Sequence, residues 1–155
     1  MKIRRAVRTD VPAIHEIATA CPTSAHWPED EYVQALENIA ARRTVLVAED
    51  DERVLGFAVA RSIDHEWELE NVAVVPDRQK KGIGQALMHV LVDLAQRCGA
   101  EAIHLEVRES NSYARTLYER CGFQQLAVRK NYYSGPEENA VLYRYLCTPE
   151  LLEKH

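Results

Sequence analysis

The chain has 155 residues, of which 46% are hydrophobic and 28% are charged, and its formal net charge at pH 7 is −5. This length suits one compact domain with its own core, which we expect to span residues 1–155. Nucleic-acid binding rests on positive charge, so we predict no direct nucleic-acid partner. No apolar run approaches the roughly 20 residues of a membrane helix, and the N-terminus lacks the apolar centre of a signal peptide. These features predict a cytoplasmic protein without a membrane partner.

The four cysteines do not form a C-x-x-C pair, and H-x-E at His104–Glu106 lacks the second half of a zinc-deaminase motif. We therefore predict no metal site and a reduced set of thiols. Cys98 and Cys121 fall on apolar helix faces, which predicts that both are small core residues.

The first half of the chain predicts strands and two helices. Residues 3–7 alternate as a short strand, and residues 9–21 have helical spacing with Thr9 or Asp10 as the N-cap. A second helix is predicted from Trp27 to Ala40, with apolar positions Tyr32, Leu36 and Ile39. Two strands flank the charged turn at residues 50–52 as a hairpin, and a further strand ends at Pro76.

The second half alternates helices with strands. An apolar stripe predicts a long helix from Ile83 to Cys98, followed by a strand at residues 102–108 and a helix capped by Asn111. Two strands surround "SGPEE", and the tail "TPELLEKH" is expected to be loose. The pattern gives about seven strands and four helices, an α/β (α+β) fold with a mixed sheet and helices on both faces.

The turn "RQKKGIG" joins a strand to the long helix. The N-terminus of a helix offers free N–H groups, and glycines allow a diphosphate to approach the backbone. Gly82 and Gly84 stand there, behind the basic residues Arg78, Lys80 and Lys81. The turn is a candidate diphosphate cradle, although it matches neither the Rossmann nor the P-loop pattern. The alternative is that the glycines serve only the geometry of the turn.

Two further residues are candidates for proton transfer. On a strand, Glu106 shares a polar face with His104 and Arg108, so it is either a solvated carboxylate or a general base. Tyr118 lies on the apolar stripe of the short helix, so it is either a core tyrosine or a proton donor.

Turn, strand and helix together resemble the GNAT superfamily of acyl-CoA-dependent N-acetyltransferases. The family signature R/Q-x-x-G-x-G/A is matched from Gln79 to Gly84. The segments "LEVRESNSYARTLYERCGF", "VRKNYY", "ENAVLYRYL" and "HWPEDEY" resemble the narrower ribosomal-protein-alanine N-acetyltransferase (RimI-type) family. The likeness is densest from Leu69 to Leu146.

This resemblance implies a mostly antiparallel GNAT sheet and transfer of an acetyl group from acetyl-CoA to a protein N-terminus by direct attack. A ribosomal-protein alanine would be the acceptor. Glu106 would accept a proton and Tyr118 would donate one. The residues implied in acetyl-CoA binding are Val72, Ala73, Val74, Gln79, Lys80, Lys81, Gly82, Ile83, Gly84, Gln85 and Asn111. The residues implied at the acceptor site are Trp27, Tyr132 and Tyr133.

Two alternatives stay open from the sequence. A GNAT enzyme can act on a small amine or on lysine, because one fold accommodates different acceptors. The segment "RKNYYSGPEEN" favours a peptide acceptor. A non-catalytic acyl-CoA-binding module is the other alternative, and the presence of both Glu106 and Tyr118 disfavours it.

Overall fold

The computed structural model describes residues 1–147. Its helices are α1 Val11–Ala20, α2 Glu29–Glu37, α3 Ile83–Arg97 and α4 Ser112–Arg120. Its strands are β1 Lys2–Arg5, β2 Arg43–Asp50, β3 Arg53–Ile63, β4 Glu66–Val74, β5 Ala102–Arg108, β6 Gln124–Tyr133 and β7 Glu138–Leu146. The prediction of a mixed sheet with seven strands and four helices is confirmed. Our expectation for the tail at residues 148–155 falls outside the described residues.

The strands form one sheet in the order β1-β2-β3-β4-β5-β7-β6. Neighbouring strands are antiparallel except for β4 and β5, which run parallel. A parallel pair needs a long crossover connection, and α3 supplies it between these two strands. Within residues 1–147, no helix is long and apolar enough to cross a membrane.

Helices cover both faces of the sheet, as two adjacent residues of β3 show. Phe57 packs edge-on against Tyr32 of α2, with ring centroids 5.8 Å apart. A Cβ atom at Gly56 would lie 3.3 Å from Leu87 of α3 and 2.9 Å from the Ala73 carbonyl oxygen, so glycine is needed there. Because successive side chains point to opposite faces, α2 and α3 lie on opposite sides of the sheet.

The sheet opens between β4 and β5. These strands pair over Glu66–Glu68 and Ala102–His104 and then part, because β5 continues alongside β7. The N–H of Val75 donates to the Leu55 carbonyl of β3 over 2.8 Å. Backbone groups alternate in direction along a strand, so those of Val72 and Val74 face the opening instead. The two strands thus form a V whose inner edge carries backbone groups outside the sheet's hydrogen-bond ladder.

Two local predictions are wrong. Ile39 is 91% exposed because α2 ends at Glu37 and the chain turns outward there. Cys98 is exposed because α3 ends one residue earlier. The prediction of Asp10 as the N-cap of α1 is confirmed, although its carboxylate accepts hydrogen bonds from Arg4 and the Val7 N–H and makes no capping bond.

Candidate functional site

A cleft of about 710 Å³ occupies the opening between β4 and β5. The ends of these strands, the loop between α1 and α2, the turn before α3, and α4 form its walls. Ten residues singled out from the sequence line it: Val72, Ala73, Val74, Gln79, Lys80, Gly84, Glu106, Asn111, Tyr118 and Tyr133. The fold therefore brings together residues that are separated by up to 61 positions in the chain.

The remaining candidates lie beside the cleft or outside its lining. Lys81 and Gly82 are exposed on the turn, whereas Ile83 is buried and Gln85 is half-buried at the start of α3.

Trp27 and Tyr132 pack against other side chains outside the lining of the cleft. Trp27 packs against the ring of Tyr32, and the Arg43 guanidinium lies 5.1 Å from the Trp27 ring centroid. The exposed Tyr132 ring contacts that of Tyr133, which does line the cleft. Only Tyr133 of the predicted acceptor-site residues thus borders the opening directly.

The turn before α3 has an unusual backbone. Gly82 is the N-cap of α3 with φ +88°, and Lys80 adopts φ +62°. A Cβ atom at Gly84 would lie 3.1 Å from the Leu117 side chain of α4, so the small residue allows close approach of the two helices. The first N–H groups of a helix have no partner within it, and here they lie at the edge of the cleft. This geometry fits an anionic ligand.

Side chains hold the end of β4 in place. The Val74 carbonyl accepts hydrogen bonds from the Gln79 amide over 3.1 Å and from the Cys21 thiol over 3.2 Å. The buried Asn71 side chain accepts from the Ala25 N–H and donates to the Ala25 carbonyl. These bonds fix both the turn and the loop between α1 and α2 against β4.

Glu106 lies on the polar face of β5, as the alternation of that strand predicts. Its carboxylate oxygen is 3.6 Å from a guanidinium nitrogen of Arg129 on β6. The neighbouring Arg108 guanidinium lies 4.5 Å from the Tyr133 ring centroid and forms an ion pair with Glu138. A carboxylate at the wall of the cleft is a candidate proton acceptor for a bound amine.

Tyr118 is both buried and part of the cleft lining, so the two interpretations of its position are compatible. Its ring packs against Phe123 and Tyr143. Burial, with smaller contributions from the nearby Tyr133 and Cys121, raises the pKa of the Tyr118 hydroxyl well above its usual range. The group therefore keeps its proton at neutral pH and can donate a hydrogen bond. Burial and the Glu106 charge also raise the pKa of Tyr133.

Among the residues that the sequence did not single out, Cys21 and Tyr113 line the cleft, and Arg129 pairs with Glu106 from outside its lining. Cys21 continues the apolar spacing of α1, and Tyr113 stands four positions before Leu117 on α4, so helical periodicity could have indicated both. Arg129 approaches Glu106 only through the pairing of β5, β7 and β6, which no local pattern reports.

Comparisons with known proteins agree with this geometry. Residues 11–123 match the acetyltransferase (GNAT) family. The chain is 37% identical to the [ribosomal protein bS18]-alanine N-acetyltransferase of Salmonella typhimurium, over 86% of this chain and 89% of the relative. The crystal structure of the ribosomal-protein-S18-alanine N-acetyltransferase from Escherichia coli superposes with a TM-score of 0.82 at 29% identity, covering 94% of this chain and 93% of that one.

A second solved structure was determined with a bound ligand. The structure of yncA from Salmonella typhimurium, with its cofactor acetyl-CoA, superposes with a TM-score of 0.83 at 26% identity and covers 95% of this chain and 94% of that one. The family match spans well over half of the chain, and the Salmonella relative aligns along most of both sequences. The chain therefore belongs to the acetyltransferase (GNAT) family and is an N-acetyltransferase.

Proposed function

We propose that this enzyme transfers the acetyl group of acetyl-CoA to the N-terminal α-amine of a protein, with the alanine of ribosomal protein bS18 as the acceptor. The names of relatives that align with most of the chain support this acceptor. Such an acceptor would place the enzyme in the cytoplasm.

One observation carries the proposal: Glu106 and Tyr118 border a single cleft from opposite faces of the sheet. The side chains of Leu105 and Tyr143 lie on one face of the sheet, because these residues are paired across β5 and β7, and Tyr118 packs against Tyr143 on that face. Glu106 follows Leu105 in β5, so its side chain lies on the other face. The base candidate and the acid candidate are therefore on opposite sides of the opening. An amine entering from the Glu106 side would meet a thioester whose sulfur lies toward Tyr118.

The residues of the cleft fit acetyl-CoA as the second substrate. The N–H groups of Val72 and Val74 and the Val72 carbonyl face the opening and match the amides of a pantetheine arm, as in the addition of a strand to a sheet. The N–H groups from Lys80 to Gln85 suit the diphosphate. Asn111 already uses its side-chain oxygen to cap α4 through the Ala114 N–H. Its amide N–H groups would be the part that contacts the ligand.

The reaction requires a neutral amine. Glu106, directly or through a water molecule, would take the proton from the acceptor amine. The amine would then attack the thioester carbonyl and give a tetrahedral oxyanion, which the Val74 N–H is oriented to stabilise. Tyr118 would donate to the departing thiolate. No covalent intermediate on the enzyme is needed for this sequence.

An α-amine makes a smaller demand on Glu106 than a lysine does. With a pKa near ~8, on the order of a tenth of the α-amine is neutral at pH 7, whereas lysine, at ~10.4, is neutral about once in several thousand molecules. Less proton removal by the base is needed for an α-amine, which favours the α-amine as the acceptor.

The acceptor is tested by mass spectrometry on two peptides incubated with the enzyme and acetyl-CoA. One peptide has a free N-terminal alanine followed by basic residues, and the other has a blocked N-terminus and an internal lysine. We expect an acetyl adduct on the first peptide alone. An adduct on the lysine peptide alone would contradict the proposed acceptor.

A further inference from the structure

The hydroxyl of Tyr113 lies on the backbone of the turn before α3. It accepts a hydrogen bond from the Lys80 N–H over 3.2 Å. Both residues line the cleft. This contact joins the first turn of α4 to the turn before α3, and it occupies an N–H group that faces the site.

This same N–H is one of those that would hold the diphosphate of acetyl-CoA. An N–H group has a single hydrogen to donate, so the Tyr113 oxygen and a diphosphate oxygen compete for it. We propose that Tyr113 is a latch that takes the place of a diphosphate oxygen in the free enzyme and must leave the Lys80 N–H when acetyl-CoA binds. This inference rests on the proposed function, because it assumes that the turn binds the diphosphate.

The surroundings of Tyr113 allow it to move. Its side chain is 38% exposed, so the released hydroxyl reaches water. The start of α4 is secured by a different bond, from the Ala114 N–H to the Asn111 side chain. Lys80, in contrast, holds a left-handed backbone conformation at φ +62°, which the bond from Tyr113 helps to fix.

The latch predicts the direction in which loss of the Tyr113 hydroxyl changes the affinity for acetyl-CoA. Acetyl-CoA must break the bond between Tyr113 and Lys80, so it binds less tightly than it would to an open turn. Tyr113→Phe removes the hydroxyl and keeps the ring. We expect it to lower the Kd of acetyl-CoA by about two- to tenfold, the range for one neutral hydrogen bond.

The test compares calorimetric titrations of the wild type, Tyr113→Phe and Tyr145→Phe. Tyr145 is a matched control, because its ring packs on Phe123 outside the lining of the cleft. Each protein is titrated with acetyl-CoA and with S-acetyl-pantetheine, which has the thioester and the pantetheine arm but no diphosphate. We expect tighter binding only for acetyl-CoA and only in Tyr113→Phe.

The outcomes separate the latch from the proposed function. If wild-type enzyme binds acetyl-CoA but Tyr113→Phe leaves its Kd unchanged or raises it, the latch is wrong and the proposed function stands. A raised Kd would make Tyr113 a contact of the ligand. If wild-type enzyme binds acetyl-CoA no better than S-acetyl-pantetheine, the turn is not a diphosphate site and the latch fails with it, whereas transfer to an N-terminus is decided by the peptide experiment.

Discussion

At the scale of single residues, Glu106 is the group on which the proposed chemistry depends most. It lies on the polar face of β5, with the Arg129 guanidinium as its charged neighbour. Glu106→Gln keeps the shape of the side chain and removes the base. We expect kcat/KM for an N-terminal peptide to fall about 10²- to 10⁴-fold at neutral pH.

The pH dependence of this loss gives a second check. As the pH rises toward the pKa of the α-amine, near ~8, more of the amine is already neutral and less depends on the base. The gap between Glu106→Gln and wild type should therefore narrow in a steady-state pH profile. Glu109→Gln, an exposed carboxylate three positions away, is the control and should keep the wild-type rate. A Glu106→Gln enzyme with full activity at pH 7 would exclude Glu106 as the base.

Tyr118 gives a prediction that separates catalysis from packing. Tyr118→Phe retains the ring contacts with Phe123 and Tyr143 and removes only the hydroxyl. We expect kcat to fall about 10²-fold while the Kd of acetyl-CoA stays unchanged. Because burial raises the pKa of Tyr118, the donor stays protonated as the pH rises, so kcat should show no loss from its ionisation up to the ordinary tyrosine pKa, about 10.

The control for this variant is Tyr145→Phe, which removes a hydroxyl from a tyrosine outside the cleft lining. Steady-state rates and thermal melting are measured on both proteins. A Tyr118→Phe enzyme that loses thermal stability but keeps its kcat would show that Tyr118 is a core residue only.

The individual site residues were predictable to different degrees. Strand alternation was enough to place Glu106 on a polar face, and a helical stripe was enough to bring Tyr118 toward the core. Neither pattern reports that both side chains border one cleft. The ion pair of Glu106 with Arg129 depends on the register of three strands, and the contact of Tyr113 with Lys80 depends on a turn 33 positions away. These contacts are set by tertiary packing.

At the scale of elements, the turn before α3 is tested by a matched pair of glycines. Gly82 begins α3 and Gly99 follows its end; both have positive φ, +88° and +81°, and neither would bring a Cβ atom within 4 Å of another group. Valine at either position should cost on the order of 1–2 kcal/mol of stability from backbone strain. Only Gly82→Val should also weaken acetyl-CoA binding, because only this end of the helix lies at the cleft.

Chemical denaturation and calorimetric titration measure the two effects separately. The Gly99→Val variant controls for the general loss of stability. Equal Kd values for acetyl-CoA in the two variants would mean that Gly82 serves the fold and does not shape a diphosphate site.

The element boundaries show where sequence periodicity is reliable. Glycines after α3 and α4, and Asn111 before α4, mark helix ends that the structure confirms. Ile39 and Cys98 continue the apolar spacing of their helices but lie just beyond the last helical residue. An apolar periodicity does not show at which residue the backbone leaves the helix. The sequence therefore assigned both residues to the apolar face of a helix, although both are exposed.

At the scale of the whole molecule, the cleft arises where β4 and β5 stop pairing with each other. The sequence predicts a strand, a helix and a strand from β4 through α3 to β5. A helical crossover of this kind lets the two strands pair in parallel. The sequence does not show that β5 stays paired with β7 along its whole length but separates from β4 after His104. That divergence depends on the pairing of the C-terminal strands, which are distant in sequence. The opening that defines the site is therefore a property of the assembled sheet.

The divergence of β4 and β5 predicts a pattern of hydrogen exchange. The amides of Val72 and Val74 face the opening, whereas β4 is paired on both sides over Glu66–Glu68. We expect a peptide spanning the last part of β4 to exchange faster than one spanning its start. Added acetyl-CoA should slow exchange by about two deuterons in the former, one for each of these amides.

Exchange followed by mass spectrometry, with and without acetyl-CoA, measures this difference. The start of β4 is the internal control, since both of its edges are already paired and the ligand has no open amide to cover there. Equal protection of the two segments in the free enzyme would show that the V is closed in solution. Slower exchange at both segments upon binding would indicate general rigidification of the sheet. Protection confined to the end of β4 would mean that acetyl-CoA takes the position along β4 that a neighbouring strand would otherwise hold.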